Sequence, residues 1–140
     1  MTRNEVSIIF IENAVGHFFV HQRLATKHTF PNKFGIGAGG FVDLGELPVE
    51  AARRELKEET GLEVPVRQVC TVEFDDPDFK QTSHLFVAKS EGPIRNDASE
   101  WQWSGWMNKR EVDKLLARGE LCTDTAEMYR RYISSQRIRR

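Results

Sequence analysis

Val6–Ile11 is rich in β-branched and aromatic residues, the pattern of a buried strand. Turn chemistry follows over Asn13–Gly16, and apolar positions resume over His17–Arg23, so the two strands read as a hairpin or as neighbours. Ala25–Lys33 is a polar loop broken by Pro31. Phe34–Val42 is dense in glycine, with Gly35, Gly37, Gly39 and Gly40, which predicts a short strand where backbone approaches a ligand or a helix closely. The period then changes. Val49, Ala52 and Leu56 form a helical stripe, Pro48 suits a first helical position, Glu50 suits the first turn, and Gly61 suits a left-handed cap; together they predict a helix over Pro48–Thr60. Val66–Phe74 and Ser83–Ala88 read as strands flanking the acidic loop Asp75–Lys80, and Trp101–Met107 as a further strand. Asn108 with Glu111 resembles a capping box opening a helix to about Arg118, and a last helix runs from about Asp124 to Ile133. Interleaved strands and helices predict a layered α/β architecture.

Composition bounds the function classes. A chain of 140 residues suits one domain, residues 1–140, and 39% hydrophobic with 29% charged residues is ordinary for a globular protein. A net charge of −1 gives no bulk electrostatic case for nucleic acid or membrane binding. The basic run Arg137–Arg140 reads as a solvated helix end or frayed tail. Cys70 and Cys122 match no paired-ligand spacing and read as reduced thiols. No charged-then-apolar leader begins the chain and no apolar run approaches a membrane span, so a cytoplasmic protein is expected.

The candidate chemistry lies on the predicted central helix. Glu55, Glu58 and Glu59 stand at i, i+3 and i+4, which puts three carboxylates on one helical face. Like charges at this spacing repel unless a cation neutralises them, and oxygen-only ligand sets suit hard ions such as Mg²⁺ or Mn²⁺. A solvated acidic face is the plainer reading, but its usual i,i+4 lysine partners are sparse here, with only Lys57 and two arginines nearby. Arg23, Lys27 and Lys33 precede the glycine-rich segment, where they suit contact with a diphosphate or a solvated basic loop. Trp101 and Trp103 are expected on one strand face with Trp106 nearby, as core for at least two of them or as a base-stacking surface. Asp75, Asp76 and Asp78 read as a solvated loop rather than an extra metal site, in a position that suits substrate selection. His17, His21, His28 and His84 show no ligand spacing and read as structural or surface residues.

The segment GFVDLGELPVEAARRELKEETGL, Gly40–Leu62, resembles the signature of the Nudix hydrolases without a gap: Gly40, Glu46, Arg54, Glu55, Leu56, Glu58, Glu59, Gly61 and Leu62 occupy the family's places. The resemblance implies an α/β/α sandwich with a mixed sheet. It implies a Mg²⁺- or Mn²⁺-dependent hydrolase that cleaves a diphosphate linkage in a nucleoside diphosphate derivative or nucleoside triphosphate by water attack on phosphorus. The metal ligands it implies are Glu55, Glu58, Glu59 and the Gly40 carbonyl. Arg54 holds a carboxylate in place, and Glu46 joins the metal shell or supports the loop. The general base is Glu58, or a residue of a later loop, Glu100 or Asp97. Family members are often homodimers, and no stretch of this chain marks an interface.

The flanks HQRLATKHTFPNKFGIGAGG and QTSHLFVAKSEGPIRNDASEWQWSGWM look like the branch related to isopentenyl-diphosphate isomerase. That enzyme relies on a cysteine in the strand before the box and on acids near Gln81–Ser83. This chain has GIGAGG and no acid at those places, and its box is intact, so hydrolysis is expected over isomerisation. The alternatives are an isomerase-like enzyme and a non-catalytic domain that senses a nucleotide or metabolite.

Overall fold

The computed structural model describes residues 3–138. Among these residues seven strands, β1 (Asn4–Glu12), β2 (Phe18–Arg23), β3 (Phe34–Ile36), β4 (Ala38–Phe41), β5 (Val66–Asp76), β6 (Phe79–Lys89) and β7 (Trp101–Met107), form one mixed sheet with three helices, α1 (Pro48–Thr60), α2 (Lys109–Ala117) and α3 (Thr123–Ile138). The sheet runs β3-β2-β1-β6-β5, with β4 also on β1 and β7 on β2. β1 pairs in parallel with β6 along its whole length, from Asn4 opposite Gln81 to Glu12 opposite Lys89.

β1 is buried from Val6 to Glu12 because both its faces are covered there. Val6, Ile8 and Phe10 join Phe18, Val20, Val112, Met128, Tyr129 and Tyr132 in a core under α2 and α3. Ile9 and Ile11 join Phe19, Phe86, Ala88 and Trp101 in a second core, where Ala52 and Leu56 of α1 dock. The sheet is thus sandwiched between α1 and the pair α2 and α3, the expected mixed α/β architecture.

α1 occupies the residues its local signals predict. The Leu47 N–H donates to Glu50 Oε1 at 2.8 Å, Pro48 opens the helix, and Gly61, at φ 80°, ends it by donating its N–H to the Lys57 carbonyl. The glycine-rich segment differs from the single strand its sequence predicts. It breaks at Gly37, φ 70°, whose N–H donates to the Phe19 carbonyl at 2.7 Å. A Cβ there would overlap the Ile9 carbonyl, so only glycine lets the chain pass from its partner β2 to its partner β1 within one residue.

Three other expectations are revised. The predicted acidic loop is a tight hairpin: pairing continues to Asp76 opposite Phe79, because cross-strand contacts outweigh the polar composition. α3 reaches Ile138, since Tyr129 and Tyr132 bury one of its faces and the helix continues beyond them. Of the basic run at 137–140, residues 139 and 140 lie outside the described residues. Trp101 and Trp103 do not share a face. The β2–β7 register shifts so that they stand opposite the consecutive residues Arg23 and Gln22. Trp101 is 3% exposed under α1, whereas Trp103 is 40% exposed and meets Phe34 on the other side.

Candidate active site

Arg54 is the hub of the signature segment. Its Nε donates to Glu46 Oε2 at 2.9 Å and its Nη2 to Glu46 Oε1 at 3.0 Å, a two-pronged charge-assisted pair. Nη2 also donates to the Phe41 carbonyl at 2.9 Å. Nη1 donates to Glu55 Oε1 at 2.9 Å and, more weakly, to Glu58 Oε2 at 3.5 Å. One guanidinium therefore ties the loop after β4 to α1 and fixes the Glu55 carboxylate. Glu46 also accepts the Asp43 N–H at 2.9 Å. The Arg54 bonds, then this backbone bond, hold its carboxyl well below the usual range, at about 2. Its place in the arrangement is support of the loop through Arg54.

The acids on α1 have different surroundings. Glu59 is 8% exposed and its Oε1 accepts the Gly39 N–H at 2.9 Å. Burial pushes its carboxyl up to about 8; the Gly39 bond opposes this, while Glu55, Glu100 and Asp97 add to it by charge repulsion. Glu55 is also raised, first by burial, with Arg54 pulling the other way. A Cβ on Gly40 would overlap the Glu55 carboxyl group, so glycine there makes room for the acid beside the strand. Glu58 points outward, with its side chain 58% exposed, and does not line the cleft.

The cleft has a volume of about 480 Å³. Glu55, Glu59 and Gly40 line it together with Glu100, Arg23 and Lys27, so the fold brings these separated candidates into one place. Lys27 Nζ donates to Glu100 Oε2, and Arg23 Nε donates to the Thr29 carbonyl at 2.9 Å. Lys33 lies elsewhere: its ammonium donates to the Gly119 carbonyl at 2.8 Å, and it does not line the cleft. Asp97 accepts from the Ser99 hydroxyl at 2.6 Å. Among the described residues, no three Asp, Glu, His or Cys side chains converge into a ready-made cation cage. The Arg54 bond to Glu55 and the Gly39 bond to Glu59 hold these two acids to separate partners.

Part of the wall is formed by residues that carry no ligand spacing in the sequence. His21 stacks on Trp101 at 4.7 Å with the rings 10° apart, and both line the cleft. Period-two spacing from Arg23 on the same strand is the signal that points to His21. At the far end, Gln81 Nε2 donates to Ser83 Oγ at 2.7 Å and to Asp124 Oδ2 at 2.9 Å. No local pattern joins residues so distant in sequence. Cys122 also lines the cleft, but burial pushes its thiol up to about 12, so it is not a thiolate at neutral pH.

The family model of the NUDIX domain matches residues 1–132. The chain is 27% identical over 130 residues to the uncharacterized Nudix hydrolase PA4841 of Pseudomonas aeruginosa, covering 92% of this chain and 77% of that one. Among solved structures, DR0079 from Deinococcus radiodurans superposes with a TM-score of 0.81 at 26% identity, covering 92% of this chain and 82% of that one. The NUDIX domain of Shewanella oneidensis NrtR, solved in complex with ADP ribose, shares the fold with a TM-score of 0.80 at 18% identity, over 97% and 90% of the two chains.

Proposed function

The chain belongs to the Nudix hydrolase family, whose members generally cleave pyrophosphate bonds in nucleoside diphosphate derivatives, and we propose that residues 1–140 act as one Mg²⁺- or Mn²⁺-dependent domain with its active centre in the α1 cleft. The observation that carries this reading is the pair Glu55 and Glu59, one half-buried and one buried carboxylate on the wall of one cleft, both with pKa raised first by burial. Such a pair suits a hard divalent cation, which removes the repulsion that burial magnifies. Glu55, Glu59 and the Gly40 carbonyl would hold the ion; Glu58, which faces outward here, would join them only by turning its side chain toward the cleft. When bound, the ion neutralises charge on the phosphate oxygens and acidifies water.

The remaining work falls to the chain itself. Arg54 orients Glu55, and Arg23 and Lys27 bind the diphosphate. Lys33 is left out, because its ammonium is engaged outside the cleft. Glu100 takes the proton of the attacking water; it lines the cleft, whereas Glu58 faces outward. Because Lys27 is paired with Glu100, a diphosphate that draws Lys27 away frees the base. The substrate is a small-molecule nucleoside diphosphate derivative or nucleoside triphosphate, cleaved in the cytoplasm, with the chain assembled as a homodimer.

No helix among the described residues is long and apolar enough to cross a membrane. No observation favours the isomerase reading: β3 and β4 carry no cysteine, and Cys122 is protonated.

The test is a hydrolysis screen with Mg²⁺ over nucleotide sugars, dinucleoside polyphosphates, NAD(H), ADP-ribose, coenzyme A and nucleoside triphosphates. Metal-dependent turnover of one class is expected, with Glu59→Gln inactive. Glu100→Gln should lower kcat by about 10²- to 10⁴-fold. Full activity in Glu59→Gln would overturn the metal assignment.

A further inference from the structure

His21 is 8% exposed, and one of its ring nitrogens is committed. Nδ1 lies 2.7 Å from the Gly37 carbonyl oxygen, which can only accept, so Nδ1 carries the hydrogen. In the neutral ring Nε2 is then a bare lone pair. Among the described residues nothing donates to it, although no fully enclosed side-chain nitrogen or oxygen lacks a partner. Nε2 is the ring atom nearest the bare backbone of Gly35, and both residues line the cleft, which puts this nitrogen on the cleft side. The Nδ1 bond to Gly37 and the stack on Trp101 hold the ring, and Gly35 leaves the room that a Cβ there would fill.

The chemistry of this lone pair is selective. Burial, opposed by the Gly37 bond and reinforced by the charge of Arg23, lowers the His21 pKa to about 4, so at neutral pH Nε2 gains no proton to donate. A neutral acceptor repels phosphate oxygens, so His21 is not a diphosphate ligand. Arg23 beside it also disfavours a cation on Nε2. What remains is a hydrogen-bond donor on the substrate, next to the diphosphate that Arg23 and Lys27 hold. Phe30 and Phe79, in edge-to-face contact at 5.7 Å on the same cleft, add aromatic surface for a base.

We infer that His21 Nε2 accepts a hydrogen bond from a ribose hydroxyl of a nucleoside diphosphate and so selects ribonucleosides over deoxynucleosides and over hydrocarbon diphosphates. This rests on the placement of the diphosphate at Arg23 and Lys27 and names the group attached to it. His21 is a specificity residue and takes no part in the proton transfers.

The experiment is an equilibrium titration of the full chain with Mg²⁺ and ADP, 2′-deoxy-ADP or 3′-deoxy-ADP, with the His21 ring nitrogens followed by NMR. ADP should bind on the order of tenfold tighter than one of the deoxy analogues, the worth of one such hydrogen bond. ADP should move the Nε2 resonance and that analogue should not. In His21→Phe, which keeps an aromatic ring against Trp101, the ratio should fall to one. Equal affinities in the wild type, no binding of any of the three, or a ratio that survives in His21→Phe each overturn the inference. The wild-type ratio needs no variant, so misfolding of His21→Phe does not remove the test. Metal-dependent hydrolysis is read separately in the substrate screen, so the inference can fail while the hydrolase reading stands.

Discussion

Glu59→Gln should stabilise the metal-free protein at alkaline pH. Glu59 has an ordinary value of 4.5 in the unfolded chain and about 8 in the fold, so between these values the folded state binds the extra proton. Stability therefore falls as pH rises through that window. At about 1.4 kcal/mol for each pH unit of mismatch, the penalty grows by about 3–4 kcal/mol between pH 5 and pH 8. Gln removes the titration and keeps an oxygen to accept the Gly39 N–H that Glu59 holds at 2.9 Å.

His21 works in the opposite sense. Its folded pKa, about 4, lies below 6.5, so its contribution is lost as pH falls through that range. It is present in both proteins, so the difference between variant and wild type isolates Glu59. The assay is urea unfolding in EDTA at pH 5 and pH 8. The variant should gain about 3–4 kcal/mol on the wild type between the two. A difference that stays constant, or moves against the variant, would refute the assignment of Glu59 as a destabilised buried acid. Mg²⁺ at one hundred times its dissociation constant should return about 2.7 kcal/mol to the wild type at pH 8 and leave the variant unchanged.

Two further outcomes follow from packing. Gly40→Ala should displace the Glu55 carboxylate, which the new Cβ would overlap, and cut kcat at least tenfold while circular dichroism shows an intact fold; unchanged activity would show that Glu55 needs no such room. Tyr132→Phe removes the hydroxyl that donates to Glu12 Oε1 at 2.7 Å, leaving a 7%-exposed carboxylate with Lys89 as its other partner. Urea unfolding should show a loss of about 1–3 kcal/mol, and no loss would mean that Lys89 alone satisfies Glu12.

The helix that carries the acids was legible because its signals are local. Pro48, Glu50 and Gly61 mark its ends, and Val49, Ala52 and Leu56 mark its buried side. Arg54 was legible as a positioning group, but its main partner was not. Spacing along one helix suggests Glu58, whereas the two strong bonds go to Glu46, eight residues earlier on a loop. The tryptophans failed for a similar reason. Alternation along β7 assumes an unbroken ladder, and the register shift against β2 turns Trp101 and Trp103 to opposite faces.

The sequence by itself determined the family signature, the central helix and the identity of the acids, because each depends on residues within a few turns of one another. Only the tertiary structure decided the environment that gives those residues their chemistry. Parallel pairing of β1 with β6, the crossing at Gly37 and the fold of β7 over β2 bring Arg23, Lys27 and Glu100 to the acids of α1. They also bury Glu59 and set His21 in the cleft wall. Burial and the choice of hydrogen-bond partner depend on contacts between distant segments, and these set proton affinity and selectivity more strongly than residue type does.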